Sequence, residues 1–180
     1  PKTFVTWNAN SLFKRIRNGD FAAMLNDHAA DLIHISEVKG TPGDALAARE
    51  LKQVLAAVGY GHVVWNWCVN TPSIHGSAVF SKAAFTRVEL GIAGGNVDPE
   101  GRTITTHFPN SSHVWTYTPC SSMDVGDVED RRRAYNIGFK EHILRTQVIA
   151  GADRVTAAGD MNVAPRDTDV RMPQHLRNRA

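Results

Sequence analysis

The stretch Val155–Val163 reads Val-Thr-Ala-Ala-Gly-Asp-Met-Asn-Val and predicts a buried strand that ends in reactive side chains. Its small and apolar residues stop at Gly159, and Asp160 and Asn162 follow one residue apart. Residues i and i+2 of an extended backbone point to the same side, so we expect the carboxylate and the amide to project together. A carboxylate can accept a proton or bind a metal, and an amide can orient a reacting oxygen. Gly, Asp and Asn are also common in ordinary turns, so this stretch alone leaves a structural interpretation open.

Polar side chains also follow two other predicted strands. Thr3–Trp7 alternates β-branched and aromatic residues and runs into Asn8 and Asn10, which are again one residue apart. Asp31–Ser36 predicts a second short strand, which Glu37 follows directly. Carboxylate and amide oxygens suit a hard cation such as Mg²⁺. Each residue alone also fits a cap, a turn or a surface acid, and only their combination at strand ends favours a site.

The remaining patterns predict strands with interspersed helices, which indicates an α/β fold. Helical spacing extends over Leu12–Leu25 with a break at 18–20, over Ala45–Val58 after a turn at Thr41–Gly43, and from Arg131 to about Ile149. Strands are predicted at His62–Trp67 and Gly76–Phe80, and a hairpin at Arg102–Phe108 and His113–Thr118 around the loop 109–112. Tyr117, near the end of that hairpin, adds a phenol to the polar strand ends.

The triple arginine Arg131–Arg133 has two interpretations. It could bind phosphate, but the acidic segment Asp124–Asp130 comes just before it. We therefore expect a solvated face of mixed charge.

Composition describes one ordinary domain over residues 1–180, with 42% hydrophobic and 21% charged residues. The net charge of +2 gives only weak support for a polyanionic partner. Cys68 and Cys120 have no CxxC neighbour, which argues against a zinc site or a disulfide framework. No apolar run approaches the roughly 18 residues of a membrane span. We expect no membrane partner and an intracellular location, nuclear or mitochondrial if the source is eukaryotic.

Six sequence blocks, taken in their order and spacing, resemble one known family. They are Trp7–Ser11, Ile35–Lys39, His75–Lys82, Glu100–Arg102, Tyr117–Pro119 and Gly159–Pro165. The chain resembles the exonuclease III branch of the endonuclease/exonuclease/phosphatase superfamily, which includes the apurinic/apyrimidinic (AP) endonucleases and the endonuclease domains of non-LTR retrotransposons. This resemblance implies a four-layered α/β sandwich of the DNase I-like type, with the second sheet incomplete in this chain. It also implies DNA as partner and backbone cleavage that depends on Mg²⁺, with Mn²⁺ as the alternative.

The resemblance assigns the metal side of the site to the first two strand ends. It implies that Glu37 is the main metal ligand and that Asn10 stands at a second metal-directed position. Asn8 would support both the metal and the nucleophile. Lys39 would steady the acidic cluster and contribute to substrate binding.

The resemblance assigns the phosphate side to the other strand ends. Asp160 would orient or deprotonate the attacking water, with Asn162 beside it on the scissile phosphate. Tyr117 would bind or protonate around that phosphate. Asp169 also falls where the family keeps an acid, and we assign it a structural role.

Four departures from the family pattern alter these expectations. The family has an acid where Asn10 stands, Gln where Ser36 stands, and Asn where Cys120 follows Pro119. The first change should lower the affinity for Mg²⁺, and the last removes a phosphate contact. The family also closes with an Asp-His pair that Pro165–Ala180 does not supply. We therefore expect the C-terminal portion to be missing, a second chain or removed segment to cover an exposed sheet face, and the 180-residue chain alone to be weak or inactive.

Three functional hypotheses follow. The first is an AP-endonuclease-like or retrotransposon-type endonuclease. The second is a catalytically degenerate relative that serves as a structural or binding subunit of a larger assembly. The third, a lipid or nucleotide phosphatase, is less favoured because the Gly159–Pro165 and Glu100–Arg102 blocks resemble the DNA branch.

Overall fold

The computed structural model describes residues 3–47, 49–92, 98–120 and 127–169. Over these residues the strands are β1 (Phe4–Asn8), β2 (Leu32–Ser36), β3 (His62–Asn66), β4 (Ser77–Ser81), β5 (Arg87–Leu90), β6 (Thr103–Phe108), β7 (Ser111–Tyr117) and β8 (Val155–Asp160). The helices are α1 (Leu12–Arg17), α2 (Asp20–Asp27), α3 (Pro42–Ala47), α4 (Arg49–Ala57) and α5 (Asp127–Ala150), with short 3-10 turns at Ala152–Arg154 and Asp167–Asp169. Strands and helices alternate as the sequence predicts.

The strands form two four-stranded sheets, in the orders β1-β2-β4-β3 and β5-β6-β7-β8. In the first sheet β1 runs parallel to β2, with Asn8 opposite Ser36. In the second sheet β7 runs parallel to β8, with Tyr117 opposite Asp160. Because parallel strands end at the same edge of a sheet, each parallel pair brings its polar terminal residues together.

The two sheets pack face to face between two helical layers. Leu32, Val79, Ile104 and Trp115 are fully or almost fully buried between the sheets. Helices α1, α2 and α4 cover the outer face of the first sheet with the apolar residues Leu12, Phe13, Phe21, Leu25, Leu51 and Leu55. Helix α5 covers the second sheet with polar contacts, among them the Tyr135 hydroxyl on Thr103 and Thr116. This arrangement is the predicted four-layered sandwich.

Several elements differ from the sequence prediction, which contained no strand at Arg87–Leu90 (β5). The predicted turn Thr41–Gly43 is wrong, because Pro42 opens helix α3. There the main-chain nitrogen of Thr41 donates to the Asp44 carboxylate at 2.8 Å, a reciprocal cap that suits proline at the first helical position. Helix α5 starts at Asp127, four residues before the predicted start. The hairpin turn is confined to 109–110, so β7 begins at Ser111.

A helical layer lies on the outer side of each sheet, and a second chain or segment that covers a sheet face stays a prediction. The edge strands are β1 and β3 in the first sheet and β5 and β8 in the second, and β1 contacts β8. No helix in the described ranges combines the length and apolarity that a membrane span requires. Cys68 is buried, Cys120 is exposed, and neither forms a disulfide.

Candidate active site

The side-chain amide of Asn8 connects the two sheets at the edge where β1, β2 and β8 end. Its Nδ2 donates to Glu37 Oε1 at 2.9 Å and to Asp160 Oδ2 at 2.9 Å. The two carboxylate oxygens therefore lie no farther apart than twice that distance, although they come from different sheets. The structure thus brings Asn8, Glu37 and Asp160 together in one cluster.

Glu37 accepts hydrogen bonds on both carboxylate oxygens. Tyr117 OH donates to Oε1 at 2.7 Å, and Lys39 Nζ lies 2.7 Å from Oε2. Burial alone raises the pKa of Glu37, but the hydrogen bonds from Asn8, Lys39 and Tyr117 and the charge of Lys39 outweigh it. The net result is a lowered pKa, so Glu37 is ionised at neutral pH.

Lys39 links Glu37 to Asn10. Its Nζ donates to Asn10 Oδ1 at 2.7 Å, and the main-chain nitrogen of Asn10 donates to Asn8 Oδ1 at 3.1 Å. The predicted metal-directed position of Asn10 therefore lies in the same cluster, with an amide oxygen in place of a charged one. The described residues contain no group of three or more His, Cys, Asp or Glu side chains arranged to hold a metal.

Asn162 lies beside Asp160, but not through the extended geometry that the sequence suggests. Strand β8 ends at Asp160, and Asn162 has a φ of 48°. Its main-chain nitrogen donates to Asp160 Oδ1 at 3.0 Å, and its Nδ2 donates to the Thr118 carbonyl at 2.7 Å. The two residues are in direct contact, and the left-handed backbone at Asn162 replaces the extended geometry that the sequence suggests.

Left-handed backbone is concentrated at this edge. The non-glycine residues with positive φ in the described ranges are Asn10, Ser11, Glu37, Lys39 and Asn162. Such conformations cost free energy and are kept where the surroundings enforce them, often at functional sites. Asn tolerates left-handed backbone better than most residues. Among these five positions, therefore, only Asn10 and Asn162 have a residue type that indicates this conformation.

Arg102 supports Tyr117, a role that the sequence prediction did not give to Arg102. Its guanidinium lies 4.7 Å from the Tyr117 ring centroid, and its Nη1 donates to the Tyr117 carbonyl at 3.0 Å. Arg102 is held in turn by Glu100, whose Oε2 accepts from Nε at 2.6 Å. Burial and the neighbouring Glu37 raise the pKa of Tyr117, so its hydroxyl stays protonated and able to donate. The Glu100-Gly101-Arg102 block was the sequence feature that could have indicated this role of Arg102.

Arg132 contradicts the predicted solvated face. Its guanidinium donates to the carbonyls of Pro119 and Met161, the latter at 2.9 Å, and approaches that of Asn162 at 3.4 Å. It therefore joins the segment after β7 to the segment after β8. Arg131 fits the prediction better, because its side chain is 52% exposed and pairs with Glu100.

Asp169 lies in a local turn, where it accepts from the main-chain nitrogen of Arg166 at 3.1 Å. This contact agrees with the structural role that the sequence suggests. The positions from 170 onward lie outside the described residues.

Residues 5–180 match the Endonuclease/Exonuclease/phosphatase family, and the chain belongs to that family. An exodeoxyribonuclease of Bacillus subtilis is 32% identical over 179 residues, which cover 98% of this chain and 64% of that protein. A DNA-(apurinic or apyrimidinic site) endonuclease of Arabidopsis thaliana is 29% identical over 203 residues, covering 97% of this chain and 54% of that protein. The chain thus spans less than two thirds of the length of these relatives.

Two solved structures confirm the fold. A 3′ phosphatase from Neisseria, bound to a product DNA hairpin, has a TM-score of 0.79 at 20% identity and covers 98% of this chain and 63% of that one. An AP endonuclease from Archaeoglobus fulgidus has a TM-score of 0.76 at 21% identity, with the same coverage of 98% and 63%. These likenesses confirm the DNase I-like sandwich. The family generally depends on a divalent metal.

Proposed function

We propose that this chain carries the catalytic centre of a Mg²⁺-dependent DNA phosphodiesterase of the AP-endonuclease type. The observation that carries the proposal is the Asn8 amide, which donates to Glu37 of one sheet and to Asp160 of the other. Two carboxylates held this close to one another can serve different roles, one toward a metal and one toward water. Relatives named as an exodeoxyribonuclease and an AP endonuclease support the same activity class.

Glu37 and Asn10 are the residues that would hold the metal. Mg²⁺ prefers oxygen ligands and binds through one or two carboxylates while it keeps waters and substrate phosphate oxygens. The donor set fits this preference, because it offers carboxylate and amide oxygens. A bound Mg²⁺, or Mn²⁺ as the alternative, would polarise a phosphoryl oxygen.

Asp160 would accept the proton of the attacking water. Asn8 Nδ2 holds its Oδ2, and the Asn162 main-chain nitrogen holds its Oδ1, so the carboxylate plane has a fixed orientation. A fixed base needs no reorganisation before it takes up a proton. The Asn162 side chain, already oriented by Thr118, would lie beside the scissile phosphate.

Tyr117 would turn its single hydroxyl proton from Glu37 to a phosphate oxygen when DNA binds. Its raised pKa keeps the proton on the hydroxyl, which donates to Glu37. Arg102 against its ring stabilises the position of the phenol. Lys39 would balance the negative charge of Glu37 next to the bound DNA.

DNA is the proposed partner, in an intracellular compartment. A second chain or further segment is proposed along the sheet edges that β1 and β8 form. Unpaired strand edges can pair with added strands, which suits such a partner. Catalytic degeneracy is the second candidate function, because Asn10 removes one charge from the metal side. It predicts a protein that binds DNA without cleaving it.

The test is single-turnover cleavage of a labelled duplex that contains one abasic-site analogue, with the protein in excess over DNA. We expect a nick that requires Mg²⁺ and disappears with chelator. Glu37→Gln and Asp160→Asn should each lower the rate by roughly a thousandfold or more, as expected for a metal ligand and a general base. Glu141→Gln, an exposed acid on α5, is the matched control and should retain the parent rate.

Two outcomes decide between the candidates. Binding without any Mg²⁺-dependent nick would favour the degenerate subunit over the nuclease. A nick that survives in both Glu37→Gln and Asp160→Asn would contradict the assignment of the site.

A further inference from the structure

Three aromatic rings form a parallel stack at one end of the first sheet. Trp65 of β3 and Trp67, just beyond it, lie with ring centroids 4.7 Å apart and an interplanar angle of 10°. Phe13 of α1 stacks against Trp65 with centroids 6.3 Å apart and an angle of 18°. We call Phe13, Trp65 and Trp67 the aromatic file, with Trp67 at its end.

Sheet topology places Trp67 at the edge that carries the candidate active site. Strands β2 and β3 both pair antiparallel with β4, so they run parallel to one another. Trp67 follows the end of β3, as Glu37 follows the end of β2. Trp67 therefore lies at the same edge of the sheet as Glu37, and we call the indole face opposite Trp65 its outer face.

The main chain on either side of Trp67 is held rigidly. A Cβ at Gly101 would lie 2.2 Å from the Asn66 carbonyl oxygen and 2.9 Å from the Trp67 carbonyl carbon, so the Glu100–Arg102 block presses directly on this segment. Asn66 Nδ2 donates to the Thr103 carbonyl at 2.9 Å, and Cys68 is only 2% exposed. The indole is thus presented from a fixed base, which lowers the entropy cost of stacking a ligand on it.

The aromatic file also touches the loop that bears Lys39. A Cβ at Gly40 would lie 2.4 Å from the Phe13 ring, so the loop lies directly on the file. The main-chain nitrogen of Lys39 donates to the His75 carbonyl at 2.9 Å, on the loop that leads away from Trp67. The file and the catalytic residues therefore belong to one continuous surface.

Core packing accounts for Trp65 better than for Trp67. Trp65 lies between Phe13 and Trp67 and meets the buried Phe80 edge-on at 5.5 Å, so it closes that end of the core. Trp67 is half-buried: it packs against the core of the first sheet and stacks on Trp65, and part of its side chain stays accessible.

We propose that this outer face of Trp67 stacks on an unpaired base of the DNA bound at the neighbouring site. The inference rests on the proposed function, because it takes DNA as the ligand. An internal base of a paired duplex has both faces covered by neighbouring pairs, so stacking on the indole favours a base in a single-stranded end, gap or frayed segment. The substrate class is thus DNA with an unpaired base beside the scissile phosphate.

The test compares two labelled DNAs without divalent metal, a blunt duplex and the same duplex with a short single-stranded overhang. We expect the parent to bind the overhang DNA about tenfold tighter, as one stacked base should contribute. Trp67→Ala should bind both DNAs equally, whereas Trp67→Phe, which keeps a ring, should retain most of the preference. Val69→Ala is the matched control, since Val69 is 68% exposed on the same loop and should leave the preference intact.

Two further readouts separate stacking from other effects. A 2-aminopurine base in the overhang should be quenched by the parent and not by Trp67→Ala. The dependence of binding on salt should be the same for both proteins, because stacking releases no counterions. If Trp67→Ala kept the preference for overhang DNA, or lost affinity equally for both DNAs, the stacking site would be overturned but the proposed function would not. A parent that binds neither DNA would overturn the proposed function as well.

Discussion

Arg132 of helix α5 donates a hydrogen bond of 2.9 Å to the main-chain carbonyl of Met161, the residue that follows Asp160. The same guanidinium donates to the Pro119 carbonyl, two residues after Tyr117. One side chain therefore sets the spacing between the two segments that carry the phosphate side of the site. The planar fork of arginine reaches acceptors on both segments in a fixed geometry, which the compact, shorter-reaching ammonium of lysine reproduces poorly.

Arg132→Lys should therefore lower kcat by about tenfold or more while KM changes by less than about twofold, because the lost interaction orients catalytic groups rather than binding DNA. Steady-state cleavage of the abasic duplex checks this split. Arg131→Lys is the control, since Arg131 is on the same helical turn but exposed and paired with Glu100, and it should keep the parent kcat. A rise in KM at constant kcat would contradict the positioning role.

Asn10→Asp should strengthen metal binding. Asn10 Oδ1 already accepts from Lys39, so a carboxylate of the same shape fits and adds one metal-directed charge. We expect the half-saturating Mg²⁺ concentration, measured from cleavage and by calorimetry without DNA, to fall by about fivefold.

Asn8→Asp makes a contrasting pair with that variant. It removes the donor that Glu37 and Asp160 share and adds a third carboxylate between them. The cleavage rate should fall by about a hundredfold, because like charges at this distance repel. If Asn8→Asp and Asn10→Asp changed the affinity for Mg²⁺ equally, the amides of Asn8 and Asn10 would not have distinct roles.

His34 should make the stability of the fold depend on pH. It is fully buried between the sheets, its ring stacks on Trp115, and burial lowers its pKa to about 3 from the ordinary 6.5. As pH falls below 6.5, the unfolded chain takes up a proton that the folded chain refuses, so stability is lost down to about pH 3. This residue alone should lower the free energy of unfolding by about 2 kcal/mol between pH 7 and pH 5.

Urea denaturation of His34→Phe at both pH values measures that contribution. The substitution keeps a ring against Trp115 and removes the titrating group, so the loss between pH 7 and pH 5 should shrink by about 2 kcal/mol. Thr6→Val is the control, because it removes the hydroxyl that lies 3.1 Å from His34 Nδ1 but keeps the imidazole. The same pH dependence in the parent and in His34→Phe would refute the prediction.

The α/β order of strands and helices could be predicted from patterns that are local in the chain, whereas the four layers and the roles of the central acids were implied by the family resemblance. Alternation marked the strands that end at Asn8 and Asp160, and the order of the motif blocks brought Glu37 and Tyr117 into the same cluster. In the structure Asn8 donates hydrogen bonds to Glu37 and Asp160, and Tyr117 donates one to Glu37.

The errors came from contacts between segments that are distant in sequence. Arg132 looked solvated because acids precede it, whereas its acceptors are carbonyls beyond β7 and β8. Its position three residues before Tyr135, on the same helical face, was the signal that could have revealed it. The left-handed turns at Asn10 and Asn162 depend on strand ends that alternation alone does not locate.

Gly159→Ala should disrupt both the fold and the site. It tests whether the stretch Val155–Val163 requires glycine directly before Asp160. Gly159 has a φ of 151° and pairs with Thr116 of β7, whose carbonyl oxygen would lie 1.9 Å from an added Cβ. Strand β8 must then move away from β7 and carry Asp160 away from Asn8. We expect the free energy of unfolding to fall by about 2–4 kcal/mol and cleavage to fall with it even where the protein is folded. Gly61→Ala, where an added Cβ meets nothing within 4 Å, should change stability by less than about 0.5 kcal/mol, and parental stability and rate in Gly159→Ala would refute this account of the strand end.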